Sequence, residues 1–385
     1  MGEQGIFQPQ RVLLGALATA IATLILIAGA PSAKAAPPSA QITRNVFSIS
    51  PGASNLGGVE IDGDFIYWVQ ATRKHKKVVL RSLQQQSIST GLRRTLYSSS
   101  QKGITVVRAG GGRLAFSTVL DSKRKKGGST IAVYAMNNTD AAPALLTEHR
   151  MKTHYIKETF RKHGKLKHRR ILVECGTFAQ SFDVTELGQV VVDQVTFGCS
   201  SDSFGQRLFS FDPGAAKPRE LPGGDDGFPL MLQSNLMLLI TGDTSVVARN
   251  VVDYTKRTLT TGGLPTAAAI SKDGWIAVSS VRLGRRGVVA QSLNLFAPNS
   301  VNPTFTRPLG KQDSEDLEFC GDSLLEIAGY GSQPSTLTLL NFTGGVITQV
   351  SGPRSDQLAA LHCDGRHVLA VSLVDGSPVL AAYDL

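Results

Sequence analysis

The chain has 385 residues, of which 42% are hydrophobic and 18% charged, with 39 Gly, 17 Pro and 4 Cys. This profile is too apolar for a disordered chain and too poor in cysteine for a small disulfide scaffold. The formal charge of +10 at pH 7 directs attention to anionic partners.

Residues 1–35 read as an export signal and are set aside from fold reasoning. Arg11 precedes an unbroken apolar run over 12–30, and Ala33-Lys34-Ala35 places small residues at the −3 and −1 positions for cleavage before Ala36. The rival reading is an uncleaved N-terminal membrane anchor, since the 19 apolar residues of 12–30 are just enough to span a bilayer. No later stretch is long and apolar enough to cross. The mature chain is therefore expected to be secreted or extracytoplasmic, without a transmembrane span. Residues 36–41 form a linker, and 42–385 are the folded part.

Within 42–385, short β-rich runs alternate with Gly, Asp, Asn and Ser turns, and no long stripe of 3.6-residue period appears, so the expected class is all-β. In chain order, a strand-like segment at 45–50 comes first, and then Asp62-Gly63-Asp64 turns the chain into Phe65-Ile66-Tyr67-Trp68. The same turn followed by an apolar strand returns at Gly111-Gly112, Leu187-Gly188-Gln189, Ser234-Asn235, Asp273-Gly274, Gly321-Asp322 and Asp364-Gly365. The intervals run from 39 to 48 residues, with a single one of 77. Seven copies of a four-stranded unit of this length predict a seven-bladed β-propeller. The last copy ends at 381–385 as a third strand, so residues 45–50 are expected to supply the missing strand of the last blade and close the ring, leaving no long unprotected edge.

Asp62-Gly63-Asp64-Phe65-Ile66-Tyr67-Trp68, followed by Val79-Leu80-Arg81-Ser82-Leu83, resembles a strand-turn-strand of secreted bacterial seven-bladed propellers of the TolB-like and YWTD-like kind. The full Tyr-Trp-Thr-Asp motif is absent, because Val69-Gln70 follow Trp68 and no other blade carries Tyr-Trp. The resemblance implies the blade pattern over most of 42–385, and it implies no particular ligand.

In a propeller, the loops joining strands two and three of each blade, and those joining one blade to the next, open on the same face. Arg73, Lys74, His75, Lys76 and Lys77 fall in such a loop of blade one, Lys123, Arg124, Lys125 and Lys126 in that of blade two, and Arg282, Arg285 and Arg286 in that of blade five. The long interval holds an insertion at about 148–175, between blades two and three and so on the same face. Between 150 and 170 it carries nine Lys/Arg and three His against one acid, Glu158. Tyr155-Ile156, Phe160 and Ile171-Leu172-Val173 flank Arg161-Lys162-His163-Gly164-Lys165, the pattern of a projecting hairpin, with Lys167, Arg169 and Arg170 on its returning strand.

The windows 73–77, 123–126 and 150–170 hold 17 of the 38 Lys and Arg that follow residue 35, so 30 residues carry +16 while the rest of the mature chain is net −7. Such asymmetry focuses a positive potential that attracts anions at long range and weakens with salt. The basic face is therefore a candidate docking surface for an anionic envelope polymer, lipid headgroups or a protein partner. The plain alternative is that these are solvated hairpin tips. Nucleic acid is disfavoured, because few aromatics interleave the bases and the chain is expected to be exported. A monomer is expected.

Export permits disulfides. Cys175 and Cys199 belong to the basic face, whereas Cys320 and Cys363 sit at matching first turns of neighbouring blades, so the expected pairs are Cys175–Cys199 and Cys320–Cys363. Asp225, Asp226, Asp313, Glu315, Asp316 and Asp356 are placed in connections leading into blades four, six and seven, near the expected channel mouth. Hard cations want such oxygens, and Asp225, Asp226 and Asp316 are the metal candidates; without an Asp-x-Asp-x-Asp-Gly loop, solvated turn acids are the preferred reading. Gly321-Asp322-Ser323-Leu324 and Asp364-Gly365-Arg366-His367 mimic the blocks of GDSL-type hydrolases, but both fall on equivalent turns of one repeat, where turn chemistry accounts for Gly and Asp. No catalytic residue and no cofactor is expected. The function expected is binding or scaffolding through the basic face, and the rival is a propeller lyase or hydrolase with its site at the acidic channel mouth.

Overall fold

Val59–Asp62, Phe65–Lys74, Lys77–Ser87 and Arg93–Ser99 pair in sequence order as one four-stranded antiparallel sheet, and this unit recurs along the chain. The computed structural model describes residues 43–47 and 59–384, apart from 76, 121–127, 141, 163–164, 199–203, 216, 223–227, 234–235, 242–244, 251–252, 285–286, 310–312, 330–335, 344, 352–355, 364–366 and 375–376. None of the described residues is α-helical, and no described helix is long and apolar enough to cross a membrane. The described strands form seven antiparallel sheets. Sheet 1 is the one above, sheet 2 spans 103–150, sheet 4 spans 228–259, sheet 5 spans 264–308 and sheet 6 spans 313–351.

Sheets 3 and 7 depart from the simple order. In sheet 3 the 20-residue strand Lys165–Val184 pairs with Val190–Phe197 over its second half and with an extra strand, Lys152–Lys162, over its first. In sheet 7, Asp356–Cys363, His367–Val374 and Ser377–Asp384 are completed by Thr43–Phe47, which runs antiparallel to Ser377–Asp384 from Thr43 opposite Asp384 to Phe47 opposite Leu380. The N-terminal strand thus occupies the missing position, although it is described over 43–47 and not over the expected 45–50.

Apolar clusters sit between consecutive sheets, and neighbouring residues of one strand feed opposite clusters. Leu238 packs with Ile270, Ile276 and Phe296 of sheet 5, while Met237 and Leu239 pack with Val191 and Leu208 of sheet 3. Because each sheet buries both faces, its second strand reads as a continuous apolar run such as Val190-Val191-Val192 or Ile276-Ala277-Val278, not as strict alternation. The first strands neighbour one another in chain order, and Val59–Asp62 of sheet 1 also neighbours Asp356–Cys363 of sheet 7.

Polar or covalent links reinforce the seams. Tyr67 Oη donates to Asn138 Oδ1 at 2.5 Å between sheets 1 and 2, and Arg113 donates to the carbonyls of Gly188 (3.0 Å) and Phe211 (2.9 Å) between sheets 2 and 3. Arg257 donates to the Ser300 carbonyl at 3.0 Å between sheets 4 and 5, and Arg307 pairs with buried Glu326 between sheets 5 and 6. The expected Cys320–Cys363 disulfide is present, with Cα atoms 5.6 Å apart, and it joins the ends of the first strands of sheets 6 and 7.

The acids expected in connections are repositioned. Asp313, Glu315 and Asp316 lie within Asp313–Cys320, and Asp356 begins Asp356–Cys363. The reason is a feature the sequence did not signal: first strands begin earlier than expected and absorb extra residues as bulges, between Ser314 and Asp316 in sheet 6 and between Leu358 and Ala360 in sheet 7. Equivalent irregularities fall between Ile104 and Val107, Ala179 and Ser181, Pro229 and Met231, and Pro265 and Ala267. Asp225 and Asp226 lie outside the described residues.

Candidate functional site

The basic insertion is an antiparallel ribbon. Lys152 stands opposite Cys175, and the pairing runs without a break to Lys162 opposite Lys165. Directly opposed residues share a face, because side chains alternate along a strand. One face therefore carries Tyr155 with Leu172, Lys157 with Arg170, Thr159 with His168, and Arg161 with Leu166. All of these are exposed, with Tyr155 at 50%, Leu172 at 43% and Leu166 at 64%. The other face holds Ile171 and Val173, half-buried, and Cys175, buried at the root. Lys167 and Arg169 lie on that second face, exposed nearer the tip.

The root of the ribbon is built tightly into sheet 2. Glu174 Oε1 accepts from the Ser129 backbone N–H at 2.8 Å and from Ser129 Oγ at 3.0 Å, and the Met151 N–H donates to the Ser129 carbonyl at 2.8 Å. A Cβ at Gly128 would lie 2.1 Å from the Met151 carbonyl oxygen, so only glycine permits this approach. Gly176 has φ +128° where the long strand passes from ribbon to sheet, a backbone angle that also calls for glycine. Cys175 is disulfide-bonded; Cys199, its expected partner, lies outside the described residues. Arg150, counted with the insertion on charge, ends the fourth strand of sheet 2 opposite Thr130.

Of the other basic candidates, Arg73, Lys74 and Lys77 lie at the tip of the hairpin between Phe65–Lys74 and Lys77–Ser87, with Lys74 opposite Lys77 and exposed. Arg282 is exposed near the end of Ile276–Gly284. Lys76, Lys123, Arg124, Lys125, Lys126, Arg285 and Arg286 lie outside the described residues, as does part of the ribbon tip, His163 and Gly164. Arg161, Lys162, Lys165, Lys167, Arg169 and Arg170 are brought together on the ribbon.

A second cluster was missed by sequence reasoning. Glu60 Oε1 lies 2.9 Å from His362 Nδ1, and Glu60 Oε2 lies 3.8 Å from an Arg108 guanidinium nitrogen. Asp183 completes the group: burial pushes its carboxyl up to about 6, against the pull of Arg108 and His362 and with the push of Glu60. Its edge keeps some solvent contact although protein encloses the carboxyl. The four residues come one each from the first strands of sheets 1, 2, 3 and 7, close to where each strand ends. Their only sequence signal is a charged residue just before the first turn of successive repeats, visible once the repeats are aligned. Among the described residues no group of three His, Cys, Asp or Glu is arranged to hold a metal ion.

Tyr67 and Trp68, which carried the resemblance, are fully buried, and the Arg93 guanidinium stacks 4.3 Å from the Trp68 ring centroid. Their role is structural, and Tyr67 packs in the cluster that sheets 1 and 2 share.

No protein-family model and no curated protein matches the sequence. Solved structures do match. The β-propeller domain of the Trilobed protease from Pyrococcus furiosus aligns with a TM-score of 0.57 at 9% identity, covering 88% of this chain and 94% of that one. The Cps50 (Swd1) β-propeller domain of Myceliophteria thermophila aligns at 0.51 and 10% identity, covering 89% and 100%. Polysaccharide lyase Uly1 aligns at 0.50 and 9% identity, covering 91% and 93%. At such identities the likeness concerns the fold alone: this is a β-propeller.

Proposed function

We propose that the chain is an extracytoplasmic, seven-bladed propeller, closed by its N-terminal strand, that binds an anionic cell-envelope component or protein partner through its basic face and performs no catalysis. The seven sheets, the pairing of Thr43–Phe47 with Ser377–Asp384 and the propeller neighbours support the architecture. The signal-like segment at 1–35 and the disulfide Cys320–Cys363 support export. The observation that carries the binding role is the ribbon, whose exposed Lys157, Arg161, Lys165, Lys167 and Arg170 stand clear of any core on a root held by Glu174 and Ser129.

The test is retention of the full mature chain on an immobilised polyphosphate matrix at low and high salt. Retention at low salt that disappears at high salt, and that falls sharply when Lys157, Arg161, Lys165, Lys167 and Arg170 are replaced by Gln, is the expected result. Unchanged retention in the quintuple variant would remove the ribbon from the binding surface.

The cluster of Glu60, His362, Arg108 and Asp183 favours the second reading, a propeller lyase or hydrolase, because a carboxyl raised to about 6 beside a His–Glu pair is suited to proton transfer. Thermal stability sensitive to chelators, or turnover of a polysaccharide or ester lost in Glu60→Gln, would favour the enzyme.

A further inference from the structure

We infer that the outward face of the ribbon docks on the surface of an anionic lipid bilayer. This rests on the binding role proposed for the basic face and goes further by naming the partner.

Six exposed residues make up the argument: Tyr155, Leu166 and Leu172 are apolar, and Lys157, Arg161 and Arg170 are cationic. They share one face, with Leu172 opposite Tyr155, Arg170 opposite Lys157 and Leu166 opposite Arg161. A soluble phosphate polymer satisfies the cations and offers nothing to the three apolar groups, and an acidic glycan adds at most a sugar face for the Tyr155 ring, leaving Leu166 and Leu172 in water. A bilayer satisfies both, with lipid phosphates for Lys and Arg and the headgroup–acyl boundary for Leu and for the amphipathic Tyr ring. The arrangement is the β-ribbon counterpart of an interfacial amphipathic helix, in which apolar area and electrostatic attraction act together.

Two features bear on the unbound state. Lys157 and Arg170 stand directly opposite each other, a like-charge pairing that destabilises a free ribbon and that anionic headgroups relieve. The ribbon is nonetheless held at its root by the Ser129–Glu174 hydrogen bonds and the buried Cys175, so the face is presented in one orientation without folding on contact. Residues 150–170 carry net +8 and the rest of the mature chain net +1, so an anionic surface attracts the ribbon far more strongly than the remainder of the molecule.

The experiment is flotation of the mature full-length chain with phosphatidylcholine vesicles and with vesicles containing phosphatidylglycerol, beside retention on immobilised polyphosphate. The wild type is expected to float with anionic vesicles and not with neutral ones. The variant Tyr155→Ser/Leu166→Ser/Leu172→Ser is expected to lose at least tenfold in vesicle affinity while keeping its polyphosphate retention. Lys157→Gln/Arg161→Gln/Arg170→Gln is expected to lose both. Vesicle binding by the apolar variant equal to wild type overturns the membrane inference, and so does a wild type retained on polyphosphate that ignores vesicles; in either case the broader anionic-binding role stands. A wild type that binds neither overturns the broader role as well. Leu166→Trp supplies a measurement independent of multiple substitution: its fluorescence is expected to shift to the blue on addition of anionic vesicles, and an unshifted spectrum overturns the proposal.

Discussion

Sheet 2 and the ribbon that follows it obey the same antiparallel register, yet their side chains meet opposite fates. In sheet 2, Phe116 is fully buried, 5.1 Å from the Tyr97 ring and 5.3 Å from Tyr134, in a cluster shared with sheet 1. In the ribbon, Tyr155 opposes Leu172 and both remain exposed, at about half of their surface. Backbone pairing is equal in the two; what differs is a neighbouring sheet on each side of one and none on the outward side of the other. Two strands alone are marginal in water, so the ribbon depends on its root.

The largest effect that breaks the comparison is expected from core truncation. Phe116→Ala should lower unfolding free energy by about 3–5 kcal/mol in a denaturant titration, whereas Tyr155→Ala should stay within about 0.5 kcal/mol. Next comes the covalent seam. Cys320→Ser/Cys363→Ser opens a loop closed over a sequence separation of 43 and should cost about 4 kcal/mol on the chain-entropy account, read in the same titration.

The Asp183 carboxyl should give a smaller, pH-dependent effect. Asp183 is raised from 3.8 to about 6 in the folded chain by burial, so between those values the folded state holds a proton that the unfolded state has released. Its contribution is greatest below pH ~4 and is lost as pH rises through about 6, a change on the order of 1–3 kcal/mol. Asp183→Asn should flatten that part of the stability–pH curve; an unaltered slope would show that other groups produce it. The smallest global effect belongs to the root of the ribbon. Glu174→Ala removes the acceptor of both Ser129 hydrogen bonds, and it should speed proteolytic cutting within 160–168 while leaving the global midpoint nearly unchanged. A large shift of the midpoint would mean that ribbon and sheets unfold as one unit.

Much of the fold was legible because turn chemistry repeats. The turns at Gly63, Gly111, Gly188, Gly274 and Gly321 fall between first and second strands, each with positive φ. The bulges were not legible, because an extra residue such as Thr266 or Glu315 looks like any other strand residue until its partner strand is in place. That is why Asp316 moved from a connection into a strand. The ribbon was readable from its run of bases, since residues that act together there are also close in sequence. The group around Glu60 was not, since Arg108, Asp183 and His362 are scattered one to a repeat.

The sequence by itself determined the class of structure, the repeat, the N-terminal completion of the last sheet and the Cys320–Cys363 pairing, all of which follow from local turn preference, apolar runs and spacing. The tertiary structure alone decided which face of the ribbon looks outward and which charged strand residues meet, because both depend on neighbours far away in the chain. Alternation divides a strand into two faces, but only packing chooses which of them meets water.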